Sequence, residues 1–201
     1  MNAVRFWAFF LGGLVADQVT KSWAQGHASE LREHPILVLD FIDGPEAFLE
    51  FTYITNPGAA WSMFSNFPEV LTVLAFVALI GIYLFRQSLE LEKVGPQIIF
   101  GLIASGIAGN LCDRLFRTPA EGYPRGVVDF IDVYLPLLDY DYPIFNLADS
   151  FIFVGVFSYI IRGFREAVEE KKAVLASETN KNSDSYDEQR RDEGESDGFD
   201  D

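Results

Sequence analysis

The chain has 201 residues and a formal net charge of −15, so it lacks the basic excess of a typical nucleic-acid-binding protein, and this class is excluded. One cysteine and two histidines exclude an internal disulfide framework and a Cys-X-X-Cys metal site, and they leave little room for a histidine-based one. A positive mean hydropathy of +0.13 in so acidic a chain indicates that charged and apolar residues are segregated along the sequence.

Four apolar segments follow one another in the body of the chain, each close to the length that crosses a bilayer as a helix. They cover about residues 4–24, 68–85, 96–116 and 144–161. A buried core helix explains one such segment well, but four in so short a chain predict a membrane protein. The first segment is not a cleaved signal peptide, because Asp17 and Lys21 interrupt it and no small-residue cleavage site follows.

The predicted topology places both termini on one side of the membrane, since the number of spans is even. Lys and Arg are slightly more frequent on the side of the membrane that holds the two termini than on the opposite side. Because positive residues favour the cytoplasmic side, both termini are expected in the cytoplasm. The two longer connections, about 26–67 and 117–143, then face outward. Gly101, Ser105 and Gly109 recur every four residues in the third segment and predict a face of close helix packing.

The first outer connection contains two short runs rich in β-branched and aromatic residues, about 36–42 and 48–54. Asp43-Gly-Pro lies between them and is typical of a turn. The predicted fold class is therefore membrane all-α: four transmembrane helices with a small extracytoplasmic antiparallel β-sheet between helices 1 and 2.

The end of the chain has a different composition from the body. From Arg165 onward acidic residues outnumber basic ones, and few large apolar residues follow Leu175. Such a segment buries too little apolar surface to offset its ordering entropy. We therefore expect a four-helix membrane domain over residues 1–176 and an acidic, disordered cytoplasmic tail over residues 177–201.

Polar side chains in the spans gather near the ends that are predicted to lie outside, while the inner halves carry almost none. Asp149 is five residues past Ile144, about 7.5 Å into the fourth span at the rise of a helix. Ionisable groups in a span are costly and indicate a functional site by default. The polar layer comprises Asp17, Lys21, Asn56, Asn110, Asp113, Arg114, Asp129, Asp132, Asn146 and Asp149, with Asp129 and Asp132 in the loop between the third and fourth spans.

Each of these residues also has a purely structural interpretation. Asp17 and Lys21 have the spacing of an ion pair on one helix face. The other structural interpretations are a helix cap for Asn146 and Asp149, an interfacial anchor for Asp113 and Arg114, a turn residue for Asn56 and a solvated loop carboxylate for Asp129.

The side chains available favour carboxylate chemistry. His27 and His34 have no accompanying Gly-X-Ser-X-Gly motif, and Cys112 lies in an apolar helix as a packing residue would. Two carboxylates brought close together cannot both ionise cheaply, so one keeps a proton. The pair then contains a base that activates water and an acid that protonates a leaving group. An aspartyl hydrolase is the reaction class that follows.

Five motifs, in family order, make the chain resemble the bacterial lipoprotein signal peptidases, the aspartyl type II signal peptidases, over about residues 10–165. The motifs are Asp17-Gln-Val-Thr-Lys21, Asn56-Pro-Gly58-Ala-Ala60, Gly106-Ile-Ala-Gly109-Asn110-Leu-Cys-Asp113-Arg114, Val128-Asp129-Phe130 and Phe145-Asn146-Leu-Ala148-Asp149. Ser105 and Trp61 depart from the usual family residues, and the acidic stretch Leu138-Asp-Tyr-Asp-Tyr adds charge close to the predicted site.

The resemblance implies that Asp129 and Asp149 are the catalytic aspartates. It implies a supporting or substrate-binding shell, with Asp17 and Lys21 as structural support on helix 1. The remaining members of that shell are Asn56, Asn110, Asp113, Arg114 and Asn146.

The resemblance also implies a substrate and a location. The substrate would be a prolipoprotein whose Cys carries a diacylglyceryl group, cut just before that Cys at the outer face of the bacterial cytoplasmic (inner) membrane, among membrane lipids. No metal or organic cofactor is implied, and the cyclic peptide globomycin is the expected inhibitor.

Two non-enzymatic hypotheses compete with the peptidase. A small proton-coupled carrier would use Asp17, Asp113 and Asp149, but it requires polar residues through the full depth of the bundle. A scaffold protein with the outer β segments as a partner site leaves the aspartates within the spans unexplained.

Overall fold

The computed structural model describes residues 3–40, 47–58 and 63–196, with side chains as far as residue 176. The predicted turn at Asp43 and the motif residues Ala59, Ala60 and Trp61 lie outside the described residues. The helices are α1 (Val4–Gly26), α2 (Ala28–Glu33), α3 (Pro68–Leu84), α4 (Val94–Phe116) and α5 (Leu147–Ser196). The strands are β1 (Ile36–Leu39), β2 (Leu49–Asn56), β3 (Val127–Leu135) and β4 (Tyr140–Phe145).

Four of the helices coincide with the four apolar segments. Within the described residues, α4 and the first 30 residues of α5, Leu147–Ala176, are long and apolar enough to cross a membrane. The apolar helix α3 is shorter, at 17 residues, and begins at Pro68, a residue well suited to the first turn. Helix α1 has 23 residues, and its polar Asp17 and Lys21 are completely buried.

Small residues bring α1 and α4 close together. A Cβ atom on Gly101 would lie 2.9 Å from the carbonyl oxygen of Phe6 and 3.0 Å from the Cβ of Phe9. A Cβ atom on Gly13 would collide with Ser105, and one on Gly109 with the carboxylate of Asp17. The predicted packing face of α4 is thus confirmed, and its small residues let the backbones approach.

The sheet is larger than the sequence predicts. It is four-stranded and antiparallel in the order β1-β2-β3-β4, so half of it comes from the connection between α4 and α5 rather than from that between α1 and α3. Asp129 and Asp132, which we expected in a loop, lie on β3. The β-branched and aromatic residues of Val127–Leu135 favour a strand, but the two acids obscure the pattern. The short helix α2 was also not predicted.

An apolar cluster holds the sheet against α1 and α2. Within it, Val128 and Phe130 of β3 are buried, and because side chains alternate along a strand, Asp129 between them points to the opposite face. The rings of Phe51 and Phe130 meet edge to face, 5.8 Å between centroids. The buried members are Ala24, Ala28, Leu31, Tyr53, Val128 and Phe130. The cluster therefore fixes the position of Asp129.

The chain divides into two compact units, Met1–Phe157 and Ser158–Asp201. The first contains α1 to α4, the sheet and the start of α5. The second contains the rest of α5, whose backbone stays helical to Ser196, through part of the segment for which the sequence predicts disorder. A helix so rich in charge depends on local propensity more than on an apolar face. The boundary at residue 176 and the disordered tail stay predictions.

Candidate active site

Asp129 lies on β3 and is held by side-chain amides. Only 2% of its surface is exposed. Its Oδ1 accepts a hydrogen bond from Nδ2 of Asn146 at 2.6 Å, and the side chain of Asn56 provides a second hydrogen bond. An amide donor fixes the orientation of a carboxyl group without supplying a full positive charge.

Asp149 lies in the first turn of α5, not about 7.5 Å into the helix, because the helix begins at Leu147 rather than at Ile144. The backbone N–H of Asn146 donates to Oδ2 of Asp149 at 3.2 Å, and the N–H of Asp149 donates to Oδ1 of Asn146 at 3.0 Å. This reciprocal pair is a capping box, with Asn146 as the N-cap residue. The second oxygen, Oδ1, accepts a hydrogen bond from Nδ2 of Asn110 at 2.8 Å.

Asn146 connects the two aspartates. Its Nδ2 donates to Asp129 and lies 3.2 Å from both Oδ1 of Asn110 and the carbonyl oxygen of Val128. The same side chain caps α5 and so positions Asp149. The contacts that make Asn146 a helix cap are therefore the same contacts that make it part of the candidate active site.

The surroundings of Asp129 favour its protonated form. Burial, and after it the charge of Asp149, raises the pKa of Asp129 to about 7. The hydrogen bonds from Asn56 and Asn146 and the charge of Lys21 oppose this shift. Near neutral pH the site thus has one carboxyl group that can both take up and release a proton, beside a second carboxyl group. That is the arrangement required for paired acid and base catalysis.

A buried ion network lies beside this pair. Nζ of Lys21 is 3.0 Å from Oδ2 of Asp17 and 3.1 Å from Oδ2 of Asp113, and all three side chains have no exposed surface. The same Nζ donates to Oδ1 of Asn110 at 2.8 Å. Because that oxygen faces Lys21, the amide nitrogen of Asn110 is directed to Asp149.

The two carboxylates of this network also anchor the backbone beside each candidate catalytic aspartate. The N–H of Ala148 donates to Oδ1 of Asp17 at 3.0 Å. The N–H of Val128 donates to Oδ2 of Asp113 at 3.1 Å. Each anchored residue directly precedes Asp149 or Asp129. The i,i+4 spacing of Asp17 and Lys21 is thus an ion pair, as expected, and it also positions the site.

Sequence reasoning missed two residues of the network, Gln18 and Arg117. Nε of Arg117 is 2.6 Å from Oδ1 of Asp113, and its guanidinium also donates to Oε1 of Gln18 at 2.9 Å. Nε2 of Gln18 donates to Asp17 at 3.1 Å and to Asp113 at 3.2 Å. The i,i+4 spacing of Asp113 and Arg117, and the place of Gln18 within the first motif, were the available signals.

Asn56 and Arg114 complete the predicted set. The N–H of Gly58 donates to Oδ1 of Asn56 at 2.9 Å, which is the local contact of a turn residue. The guanidinium of Arg114 donates to the carbonyl oxygen of Gly58 at 2.9 Å and lies 3.4 Å from that of Asn110. Arg114 therefore joins the end of β2 to α4. The structure brings all nine predicted site residues into one contiguous cluster.

A cavity of about 470 Å³ opens beside Asn56, between the end of β2 and β4. Asp132 and Asp141 line it together with Pro57 and Tyr142. Burial, and then the charge of Asp141, raises the pKa of Asp132. In the part of the chain that the structure describes, no group of three or more His, Cys, Asp or Glu side chains is arranged to hold a metal ion.

Two carboxyl groups that share one buried site at the end of apolar helices suit an aspartic-type hydrolase of a membrane. The comparisons with known proteins agree. The family described as Signal peptidase (SPase) II matches residues 9–165, so the chain belongs to the signal peptidase II family.

Curated relatives cover most of the chain. The lipoprotein signal peptidase of Tropheryma whipplei is 40% identical over 157 residues, 78% of this chain and 91% of the relative. That of Nostoc punctiforme is 36% identical over 164 residues, 80% and 87% of the two chains. That of Clostridium acetobutylicum is 31% identical over 143 residues, 71% and 82% of the two chains.

Solved structures agree with the fold. One bacterial membrane enzyme, solved by the in meso method at 2.3 Å, has a TM-score of 0.60 and 28% identity, covering 79% of this chain and 87% of its own. A second, at 1.9 Å, has a TM-score of 0.52 and 28% identity, covering 77% and 88%. The chain is thus an aspartic-type peptidase of a membrane enzyme family, as the motifs predict, and the carrier and scaffold hypotheses are set aside.

Proposed function

We propose that this peptidase removes signal peptides from diacylglyceryl-modified prolipoproteins, cutting before the lipidated Cys with water activated by Asp129 and Asp149. The observation that carries the proposal is the pair itself. Asp129 is almost fully buried, is held only by amides and is raised in pKa to about 7 beside Asp149. A carboxyl group that retains its proton next to an ionised one is suited to divide acid and base roles.

The surroundings support a division of roles within the pair. Asp149 accepts a backbone N–H in the first turn of α5, where the helix dipole favours a negative charge, so Asp149 is the base. It takes a proton from water as the water oxygen attacks the scissile carbonyl carbon. Protonated Asp129 donates to the carbonyl oxygen. When the tetrahedral intermediate collapses, the C–N bond breaks and the departing nitrogen takes a proton from the pair.

The supporting residues position this pair and the substrate. Lys21, Asp17 and Asp113 fix Asn110 and the residues before each catalytic aspartate. Asn146 connects both aspartates, as described above. Asn56 and Arg114 lie where the end of β2 approaches the site and are suited to bind the substrate backbone. This arrangement holds the reacting groups before the substrate arrives.

We place the enzyme in the bacterial cytoplasmic membrane as a multi-pass protein, with α1, α3, α4 and α5 as four spans and both termini in the cytoplasm. Trp7, Leu11, Val15 and Val19 form an exposed apolar row on α1, and no residue of α3 is buried. Such faces suit lipid rather than water. The sheet then lies outside, so the lipidated Cys meets the aspartates at the outer boundary. Globomycin is the inhibitor we expect.

The test is cleavage of a purified, diacylglyceryl-modified prolipoprotein by the wild type, Asp129→Asn and Asp149→Asn. Each substitution removes one acid or base, so we expect cleavage to fall by about 10²–10⁴-fold or more while the proteins stay folded. Asp132→Asn is the matched control. It removes the same charge from the same strand but not from the pair, and its activity should stay near that of the wild type.

Two results would overturn the proposal. If a folded Asp129→Asn or Asp149→Asn variant cut at the wild-type rate, the catalytic pair would be assigned wrongly. If the wild type cut unmodified prolipoprotein as fast as the lipidated form, the requirement for a lipidated Cys would fail although the peptidase activity would remain.

A further inference from the structure

A second cavity, of about 390 Å³, borders the cluster of the candidate active site and shares Arg114 with it. It opens between the start of α3 and the end of α4 and is closed by the residues that precede β3. Pro68, Thr72, Val73, Arg114, Leu115 and Arg125 line it, among others. The catalytic chemistry proposed above uses neither the α3 wall nor Arg125.

The polar side of this cavity is positively charged. Two guanidinium groups, of Arg114 and Arg125, line it against one carboxylate, of Glu69. Arg125 is anchored by a hydrogen bond to the carbonyl oxygen of Leu115 at 2.7 Å. Nε of Arg114 is buried and has no hydrogen-bond partner among the described residues. Guanidinium groups carry five donors in a planar fork that matches phosphate oxygens.

The other side of the cavity is apolar and continues along α3. Val73 and Leu115 line the cavity, and Val73 is mostly exposed. Val77 and Ile80 follow it on α3 with more than half of their surface exposed. A ligand that fits both sides has an anionic group at one end and a long apolar portion at the other.

We propose that this cavity binds the phosphate group of a membrane phospholipid, with the acyl chains lying along α3. The carboxylates of Asp149, Asp129 and Asp113 also act on Arg114, so phosphate supplies an anionic partner for Arg125 and an acceptor for the unpartnered Nε–H of Arg114. Basic pockets between membrane helices are suited to lipid head groups. The proposal rests on the proposed function in one respect: the proposed membrane topology places the cavity at the level of the lipid head groups. Binding at this cavity goes beyond the peptidase activity, and the two are tested separately.

The experiment measures the thermal unfolding midpoint of the purified full-length protein in a neutral detergent while short-chain phosphatidylglycerol is added. We expect the midpoint to rise in a saturable way, because a ligand that binds the folded state stabilises it. Arg125→Gln should weaken the apparent affinity about fivefold, the effect of one basic group near a lipid surface. Glu69→Gln, which removes the opposing charge, should tighten it.

The controls separate this site from other effects. Arg86→Gln removes a partly buried arginine just beyond the far end of α3 and should leave the titration unchanged. Neutral diacylglycerol and inorganic phosphate are titrated in parallel, and each lacks half of the proposed ligand. If Arg125→Gln unfolds, Glu69→Gln still tests the charge dependence with the opposite sign.

Three results would overturn the proposal. The first is an equal shift with diacylglycerol, since the arginines would then contribute nothing. The second is an equal shift with inorganic phosphate, since the site would then bind a free anion rather than a lipid. The third is an unchanged affinity in both Arg125→Gln and Glu69→Gln, since the phospholipid would then bind elsewhere.

Discussion

Two pairs of buried aspartates lie side by side in this protein and are held in opposite ways. Asp17 and Asp113 contact the ammonium group of Lys21 at 3.0 and 3.1 Å. Asp129 and Asp149 contact side-chain amides and backbone N–H groups instead. The residue type and the depth are similar, but among the described residues a direct ion pair is seen at the first pair only, while the charges of Lys21 and Arg114 also act on the second pair.

The difference separates a structural carboxylate from a reactive one. A cation in contact favours the charged form of a carboxylate, and each member of the first pair also accepts a backbone N–H, so this pair serves as a fixed anchor. Amides orient a carboxyl group without fixing its charge, so burial and the neighbouring carboxylate raise the pKa of Asp129 to about 7. The first pair therefore belongs to an ion network that anchors the backbone, and the second contains the one aspartate, Asp129, whose pKa lies near neutrality among the described groups.

Removing the cation should give the largest loss of stability. Lys21→Met leaves the buried carboxylate of Asp17 without its cation, while Asp113 keeps its ion pair with Arg117. Breaking a buried pair in this way costs about 3–5 kcal/mol. We expect a correspondingly lower midpoint in denaturant unfolding. The matched control is Lys93→Met, whose ion pair with Glu90 at 2.5 Å is exposed, and which should cost less than about 1 kcal/mol. Equal losses in the two variants would contradict the comparison.

Asp129→Asn should abolish cleavage yet stabilise the protein at alkaline pH. In the wild type the pKa of Asp129 rises from 3.8 in the unfolded chain to about 7 in the fold. The loss of folding stability caused by ionising the buried Asp129 is absent below about pH 4, grows between pH 4 and 7 and is complete above pH 7. The variant should therefore match the wild type at pH 4 and exceed it by up to about 4 kcal/mol at pH 8. Urea unfolding at both pH values is the measurement.

Asn146→Ala removes the amide that connects the second pair. It deletes the hydrogen bond to Asp129 and the side-chain acceptor for the N–H of Asp149. Losing an N-cap side chain costs about 1 kcal/mol, whereas misplacing both catalytic groups should reduce the cleavage rate about 100-fold. Ser150→Ala, which removes a hydroxyl that bonds only the backbone of Asn146, is the control. A normal rate in Asn146→Ala would show that the amide does not position the pair.

The smallest expected effect concerns a third set of carboxylates, on the sheet. Glu50 and Asp132 are cross-strand partners, and the charge of Asp132 raises the pKa of Glu50 after burial does. Like charges in such positions are destabilising by roughly 0.2–1 kcal/mol. Asp132→Asn should therefore gain this amount at pH 8 and less at pH 4, because the pKa of Glu50 is raised above its usual 4.5 and the repulsion weakens as that carboxyl takes up a proton. A loss of stability at pH 8 would mean that Asp132 has a partner that needs its charge.

Local patterns were enough to predict the four long helices, and the motifs that carry the family resemblance were enough to select the two candidate aspartates. The apolar lengths gave the segments that became α1, α3, α4 and α5, and the i,i+4 spacing gave the contact of Asp17 with Lys21. The short motifs around Asp129 and Asp149 were informative because each lies within a few residues of sequence. Their role as the catalytic pair stays a prediction.

The pairing of strands that lie far apart in the chain could not be predicted from the sequence. Strand β3 pairs with β2, more than 70 residues earlier, and no local period reports such a partner. The acids at positions 129 and 132 made β3 look like a solvated loop. The start of α5 was misplaced for a related reason, because the apolar run begins within β4, whose Ile144 and Phe145 favour helix and strand alike. The contacts of Gln18 with Asp113 depend on tertiary packing in the same way.

The capping box at the start of α5 also offers a way to observe the reaction from the backbone. Oδ2 of Asp149 accepts the N–H of Asn146, while Oδ1 faces the amide of Asn110. A proton that arrives at this carboxylate weakens its hold on the N–H of Asn146, so exchange of that amide hydrogen with solvent becomes faster. One backbone signal thus distinguishes inhibitors that leave Asp149 charged from those that neutralise it, without any labelled substrate.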